Sequence, residues 1–157
     1  MPEVAARAAT SGDLTSVATL AERAGAEKLA QKGGMVWDRR ERLAHADTTV
    51  LAKTLESSDD EIAVGTLDGS VVGYGIVRIE RLADGGLLGV IHDVYVEPAA
   101  RELGVGEALM TYLLDWCKAA GCFGVDSLAL PGDRETKNFF ESFGLVARAI
   151  IVHRPLE

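Results

Sequence analysis

The sequence predicts a mixed α/β domain of the α+β type, in which an antiparallel meander feeds a strand–helix–strand unit. Three observations predict it. Asp68-Gly69 stands between two apolar, β-branched runs, residues 62–67 and 71–79. That dipeptide supplies the positive φ of a tight hairpin. A third long apolar run, residues 87–96, follows the turn residues Asp84-Gly85-Gly86 and is stopped by Pro98. The period then changes: Val105, Ala108, Leu109, Tyr112, Leu113, Trp116 and Ala120 fall on one helical face, with Glu107, Asp115 and Lys118 mostly off it.

The remaining elements follow in order. Residues 4–9 read as a short first strand. Thr10-Ser11-Gly12-Asp13 supplies turn and cap residues, and residues 14–24 carry apolar positions at helical spacing. Gly25 and Gly33-Gly34 break the chain into a loosely specified segment, and residues 37–55 are expected to be helical in part. Gly121 ends the helix over 105–120. Residues 125–130 read as a strand, Pro131-Gly132-Asp133 as a turn with a helix cap, 134–143 as a short helix ended by Gly144, and 145–153 as a last strand.

Bulk properties narrow the function. A chain of 157 residues fits one domain, residues 1–157, and at 48% hydrophobic it can bury a sizeable core. The net charge of -8 argues against nucleic acid or an anionic membrane as partner, because both need a basic footprint. No apolar run reaches membrane-spanning length and residues 1–10 lack the core of a signal peptide, so a cytoplasmic protein is expected. Cys117 and Cys122 form neither a CxxC pair nor half a zinc site, and no His, Cys or carboxylate spacing suggests a metal. His45 and His153 read as surface or packing residues.

The chemistry concentrates where the third long strand hands over to the amphipathic helix, from Val96 to Leu109. Gly104 and Gly106 let the backbone approach a ligand without a Cβ in the way. The helix start presents N–H groups that favour an anion, and Arg101 adds a cation. The combination makes a pyrophosphate cradle. A dinucleotide loop needs a third glycine and a first parallel strand, and a Walker A loop needs Gly-Lys-Ser/Thr; both are absent.

Arg101-x-x-Gly104-x-Gly106, preceded by Val96-x-Pro98 and followed by Ala108-Leu109, resembles the coenzyme A pyrophosphate motif of the GCN5-related N-acetyltransferases. Arg7 to Thr10 with Asp13-Leu14 is similar to that family's opening, Ile91 to Val96 to its fourth strand, and Arg134 to Leu145 to its final helix. The resemblance implies a mixed sheet of six or seven strands flanked by about four helices. It implies an enzyme that moves the acetyl group of acetyl-CoA to a primary amine, on a small molecule or a protein, or alternatively an acetyl-CoA sensor with little catalysis. Backbone N–H groups of Glu102, Leu103, Gly104, Val105 and Gly106 would hold the pyrophosphate. Val94, Tyr95 and Val96 would pair with the pantetheine arm and offer an N–H to the oxyanion of acyl transfer. Lys137 and Phe140, in the final helix, fall within the coenzyme-binding set, and Asp133 stands where the family often has a coenzyme-contacting Asn, or caps that helix.

Two positions depart from the family pattern. Phe140 occupies the place of a Tyr that protonates the leaving thiolate, so water, Ser142 or another Tyr would have to serve. His92 and Asp93 stand where a Glu often activates the amine; strand alternation sends them to opposite faces unless a bulge intervenes. Trp37, with Asp38 and Glu41, falls in the region that builds the family's acceptor pocket. The apolar run Ala149 to Val152 is a candidate for pairing across a homodimer interface.

Overall fold

The protein is described here as a computed structural model, covering residues 1–43 and 47–156. Its centre is a five-stranded sheet in sequence order: β1 (Val4–Ala8), β2 (Asp60–Leu67), β3 (Ser70–Arg81), β4 (Leu87–Val96) and β5 (Gly124–Ser127). The first three pairings are antiparallel and β4–β5 is parallel, so the sheet is mixed as the sequence predicts. The hairpin between β2 and β3 turns on Asp68 and Gly69, with φ of 49° and 83°. Both central residues are left-handed, the condition of the turn that matches strand twist.

Among the described residues there are five α-helices: α1 (Leu14–Leu29), α2 (Gly34–Arg40), α3 (Thr48–Glu56), α4 (Val105–Ala119) and α5 (Arg134–Glu141). One face carries α1 and α3 over Ile62, Val64, Tyr74, Ile76 and Tyr95. The other carries α4 over Ala63, Val72, Val77 and Ile91, with Phe140 of α5 joining it. Glycines let α4 settle close to the sheet. A Cβ at Gly65, Gly75 or Gly89 would stand 2.5 Å from Val105, 2.7 Å from Leu113 or 2.5 Å from the Cys117 sulfur. These contacts set where the start of α4 meets the end of β4. After α4, Gly121 (φ 89°) forms the left-handed cap, with Cys122 N–H bonding Cys117 O and Gly121 N–H bonding Lys118 O.

Three expectations are corrected. Gly25 does not break the first helix, which runs on to Leu29; it is a buried helical residue whose missing Cβ leaves room for the Arg42 guanidinium 2.6 Å from that position. The strand expected over 125–130 is only Gly124–Ser127. Residues 145–153 form no strand, so the described residues give five strands rather than six or seven, and five α-helices rather than about four. The reason lies in what β-propensity measures: a β-branched run becomes a strand only against a neighbouring edge and a packed face. Val146, Ile150, Ile151 and Val152 have neither and are 70–89% exposed.

Candidate active site

The site begins where β4 and β5 part. Their pairing ends at Ile91↔Ser127, and β4 continues for His92 to Val96 with β3 alone beside it. Glu97 N–H donates to Val72 O at 2.8 Å, on the β3 side. Alternation along the strand therefore turns the N–H and C=O of Val96 and Val94 to the opening. Arg101 Nε reaches Val96 O there at 2.8 Å, as that geometry requires.

The predicted cradle closes the end of this opening. Glu102 and Gly104 both have positive φ, 69° and 95°. Gly104 is the N-cap of α4, and the first bond of the helix runs from Ala108 N–H to Gly104 O at 3.1 Å. The N–H groups of Val105, Gly106 and Glu107 thus precede the helical ladder and carry the positive end of the helix dipole. A Cβ at Gly104 would enter open space, so any side chain there projects from the turn, whereas one at Gly106 would stand 3.1 Å from the Phe139 ring. Leu103 is exposed and Val105 is buried beneath the turn. A turn open at Gly104 and backed by a helix of 15 residues fits a pyrophosphate.

Arg101 is held differently from the sequence expectation of a cation in the cradle. Its guanidinium bonds Val96 O, lies 3.3 Å from the Glu27 carboxylate of α1 and stacks 5.2 Å from the Tyr95 ring. In α5, Asp133 caps the helix: its carboxylate accepts from Thr136 N–H at 3.1 Å and Thr136 Oγ1 at 2.7 Å. Burial raises the Asp133 pKa, but the Thr136 bonds and the nearby Lys28 outweigh it, and the net shift is downward. Lys137 pairs with Glu141 at 3.4 Å, and Phe140 is a buried ring 5.7 Å from Phe139. Between Gln31-Lys32 after α1 and residues 131–135 lies a recess of about 430 Å³.

His92 and Asp93 share one face. The β3–β4 register shifts at Ile76/Val77, pairing Ile76 with Asp93 and Val77 with Ile91. His92 is the extra residue of a bulge, which sends both side chains to the α1–α3 side. Asp93 is buried and accepts from the Tyr74 hydroxyl at 3.3 Å. His92 Nδ1 lies 2.8 Å from the Glu41 carbonyl at the end of α2. A carbonyl only accepts, so Nδ1 carries the proton and Nε2 holds the lone pair. Burial, the largest effect, and Arg78 lower the His92 pKa against the raising effects of the Glu41 carbonyl, Asp60 and the Glu41 charge, so the ring is neutral at pH 7.

Three side chains suggested by the sequence are already engaged. Trp37 is 3% exposed and takes the chain's own cations, Lys28 Nζ at 5.4 Å and Arg42 at 5.9 Å, while Asp38 binds Arg42. The hydroxyl of Ser142 donates to Phe139 O. Tyr95 and Tyr112 are pushed up to about 12, by burial first and then by Glu27 and Glu61, and Tyr74 is raised well above its ordinary value by burial and Asp93. None of the three is poised to give up a proton near neutrality. His45 lies outside the described residues. Sequence reasoning missed the Glu41 carbonyl, a main-chain group with no residue-type signal, and Arg42.

Comparison with known proteins adds the family. Residues 19–145 match the profile of the acetyltransferase (GNAT) family. This chain belongs to that family. A curated relative, glucosamine 6-phosphate N-acetyltransferase of Arabidopsis thaliana, is 33% identical over 84 residues, which is 52% of this chain and 54% of the relative. The match thus spans about half the length of that relative. The crystal structure of glucosamine-6-phosphate N-acetyltransferase from the same plant superposes with a TM-score of 0.70 at 22% identity, covering 99% of each chain. A Bacillus halodurans protein, solved as a Phe-to-Arg mutant, reaches 0.81 at 17% identity over 97% of this chain and 99% of its own. An aminoglycoside N-acetyltransferase solved with CoA reaches 0.75 at 15% identity, over 99% of this chain and 96% of its own. These likenesses carry the fold. The GNAT family uses acetyl-CoA as acyl donor, and among the described residues no helix is long and apolar enough to cross a membrane.

Proposed function

We propose that this chain transfers the acetyl group of acetyl-CoA directly to a primary amine. The parting of β4 from β5 at Ile91↔Ser127, with the Gly104 turn at its end, is the observation that carries the reading. Acetyl-CoA supplies an acyl group on a thioester. N–H groups of Glu102 to Gly106 hold its pyrophosphate, and the open edge of β4 at Val94 to Val96 aligns its arm, with Tyr95 backing the strand. An N–H on that edge faces the charge that develops on the acyl oxygen, which fixed donors stabilise by on the order of 10²-fold in rate. Asp133 at the start of α5 and Lys137 within it would flank the bound coenzyme.

The amine reaches the same place from the α1–α2 side. An ammonium has no lone pair, so a base must take a proton, and His92 Nε2 is that base. Asp93 supports it from below by anchoring β4 to Tyr74. Phe140 gives no proton to the leaving thiolate. The coenzyme A thiol resembles a free Cys, with a pKa of about 8.5, so the thiolate leaves unprotonated near neutral pH.

Phe140 also favours a second reading, an acetyl-CoA-binding sensor that turns over little. Calorimetry with acetyl-CoA on wild type and Gly104→Glu tests both readings. The variant places a carboxylate against the pyrophosphate and should bind at least about 10³-fold more weakly, since apposed like charges cost several kcal/mol. Wild-type binding followed by thiol release with an amine, glucosamine 6-phosphate first in the panel, supports the enzyme. Binding without release from any amine leaves the sensor, and no wild-type binding overturns both.

We further assign the chain to the cytoplasm, on its free Cys117 and Cys122, and to a homodimer through the exposed apolar run Ala149 to Val152.

A further inference from the structure

We propose that Arg42 is a positioning residue for His92, acting through the main-chain carbonyl of Glu41 beside it. The inference rests on His92 as the base proposed above. Glu41 lies 51 residues from His92 in sequence, at the end of a helix of only seven residues. So short a helix does not hold its place unaided. Arg42 holds it. Its Nη1 donates to Asp38 Oδ1 at 2.8 Å and its Nη2 to Ala21 O of α1 at 2.9 Å, while the guanidinium stands 5.9 Å from the Trp37 ring. The side chain is 14% exposed, and its berth is cut into α1: a Cβ at Gly25 would lie 2.6 Å from the guanidinium carbon. Arg42 therefore pins the end of α2 to α1, one residue from the carbonyl that orients the ring.

The groups facing His92 are the Glu41 main chain and carboxylate, Asp60 on β2 and Arg78 on β3. Asp60 and Arg78 are joined to each other at 2.6 and 3.1 Å. Among the described residues, the Glu41 carbonyl is what distinguishes the two ring nitrogens. With it in place Nδ1 is the protonated nitrogen and Nε2 the free base. With it displaced, the ring samples both tautomers and rotates, and a misplacement of about 1 Å is enough to slow a reaction by up to about 10²-fold.

Imidazole ¹⁵N spectra of wild type, Arg42→Met and Gly25→Ala test this, with His92→Gln assigning the signal among the three histidines. Gly25→Ala removes no charge and favours the helix, so it perturbs the guanidinium in a chain that still folds. Wild type should show a neutral ring with the proton on Nδ1. Both variants should show mixed tautomers, and Arg42→Lys should fall between. Turnover with the amine found by the thiol-release screen should drop about tenfold in both, with KM for acetyl-CoA within about twofold. If folded Arg42→Met and Gly25→Ala keep the wild-type tautomer, the proposal is overturned; should Arg42→Met fail to fold, Gly25→Ala alone decides. If the tautomer moves while His92→Gln turns over like wild type, the positioning stands and the base assignment falls.

Discussion

The two faces of the sheet are built on different terms. On one, α4 lies on a floor of glycines, and its first turn, the end of β4 and the parting of β5 come from one continuous stretch of chain, residues 87–127. On the other, α1, the end of α2 and the strands β3 and β4 are joined by polar links, most of them between distant residues: Arg42 to Ala21 and, locally, to Asp38, His92 to Glu41, Tyr74 to Asp93. On the function proposed above, the locally connected first face seats the coenzyme, and the second, held by long-range polar links, covers the acceptor.

The sharpest way to break this comparison is to make the same cavity in both faces. Leu113 of α4 and Leu51 of α3 are each 0% exposed. Truncating either to Ala should cost about 2–5 kcal/mol, read from urea unfolding. The consequences for ligand binding should part. Leu113 packs on Gly75, which pairs with Val94 on the open edge of β4. Leu113→Ala should therefore weaken acetyl-CoA about tenfold by calorimetry, and Leu51→Ala should leave it within about twofold. Equal weakening by the two would mean that the faces are one cooperative unit.

His92 belongs to the second face, at the part of β4 that β5 leaves open, and its expected effect is the next in size. His92→Gln should lower kcat about 10²-fold, the range of a lost general base. The wild-type pH profile should be flat above pH 6.5 and fall only as the pH drops through the lowered pKa of the ring, because the neutral form is the active one. Stability follows the same sign. The folded pKa is below the unfolded one, so the unfolded chain binds the proton more readily; the contribution is fully present above about pH 6.5 and is lost as the pH falls through the folded pKa. Urea midpoints taken from pH 7.5 downward should show this slope in wild type and less of it in His92→Gln.

The same contrast explains what the sequence revealed. The hairpin at Asp68-Gly69, the strand over 87–96 and the helix from Val105 were legible because turn chemistry and period are local signals. So was the glycine turn ahead of α4, since Gly104 supplies the positive φ of its N-cap. The bulge at His92 was not legible: nothing in Ile91-His92-Asp93-Val94 distinguishes a bulged from a regular strand, and the side on which His92 falls depends on its partner strand. Gly25 read as a breaker because its neighbours look ordinary, and only Arg42, 17 positions on, explains it. The contacts of Arg101 with Glu27 and Tyr95 were not legible either, because these residues meet only in space.

The smallest effect on the folded chain is expected where neither face reaches. Residues 146–156 leave the body after α5, tied to β5 by Arg148 Nε donating to Asp126 at 2.8 Å. Ile150 and Val152 are 88% and 89% exposed, so they contribute no burial within one chain. Changing both to Ser should move the urea midpoint by no more than about 0.5 kcal/mol in stability, the usual range for surface sites. If these side chains instead pair with a second copy, as proposed, sedimentation should show a wild-type dimer that the double variant converts to monomer, with acetyl-CoA affinity kept. A wild type that stays monomeric across a concentration series would remove the dimer. A variant that loses acetyl-CoA as well as the dimer would extend the comparison, because the coenzyme face would then depend on a neighbour to complete it.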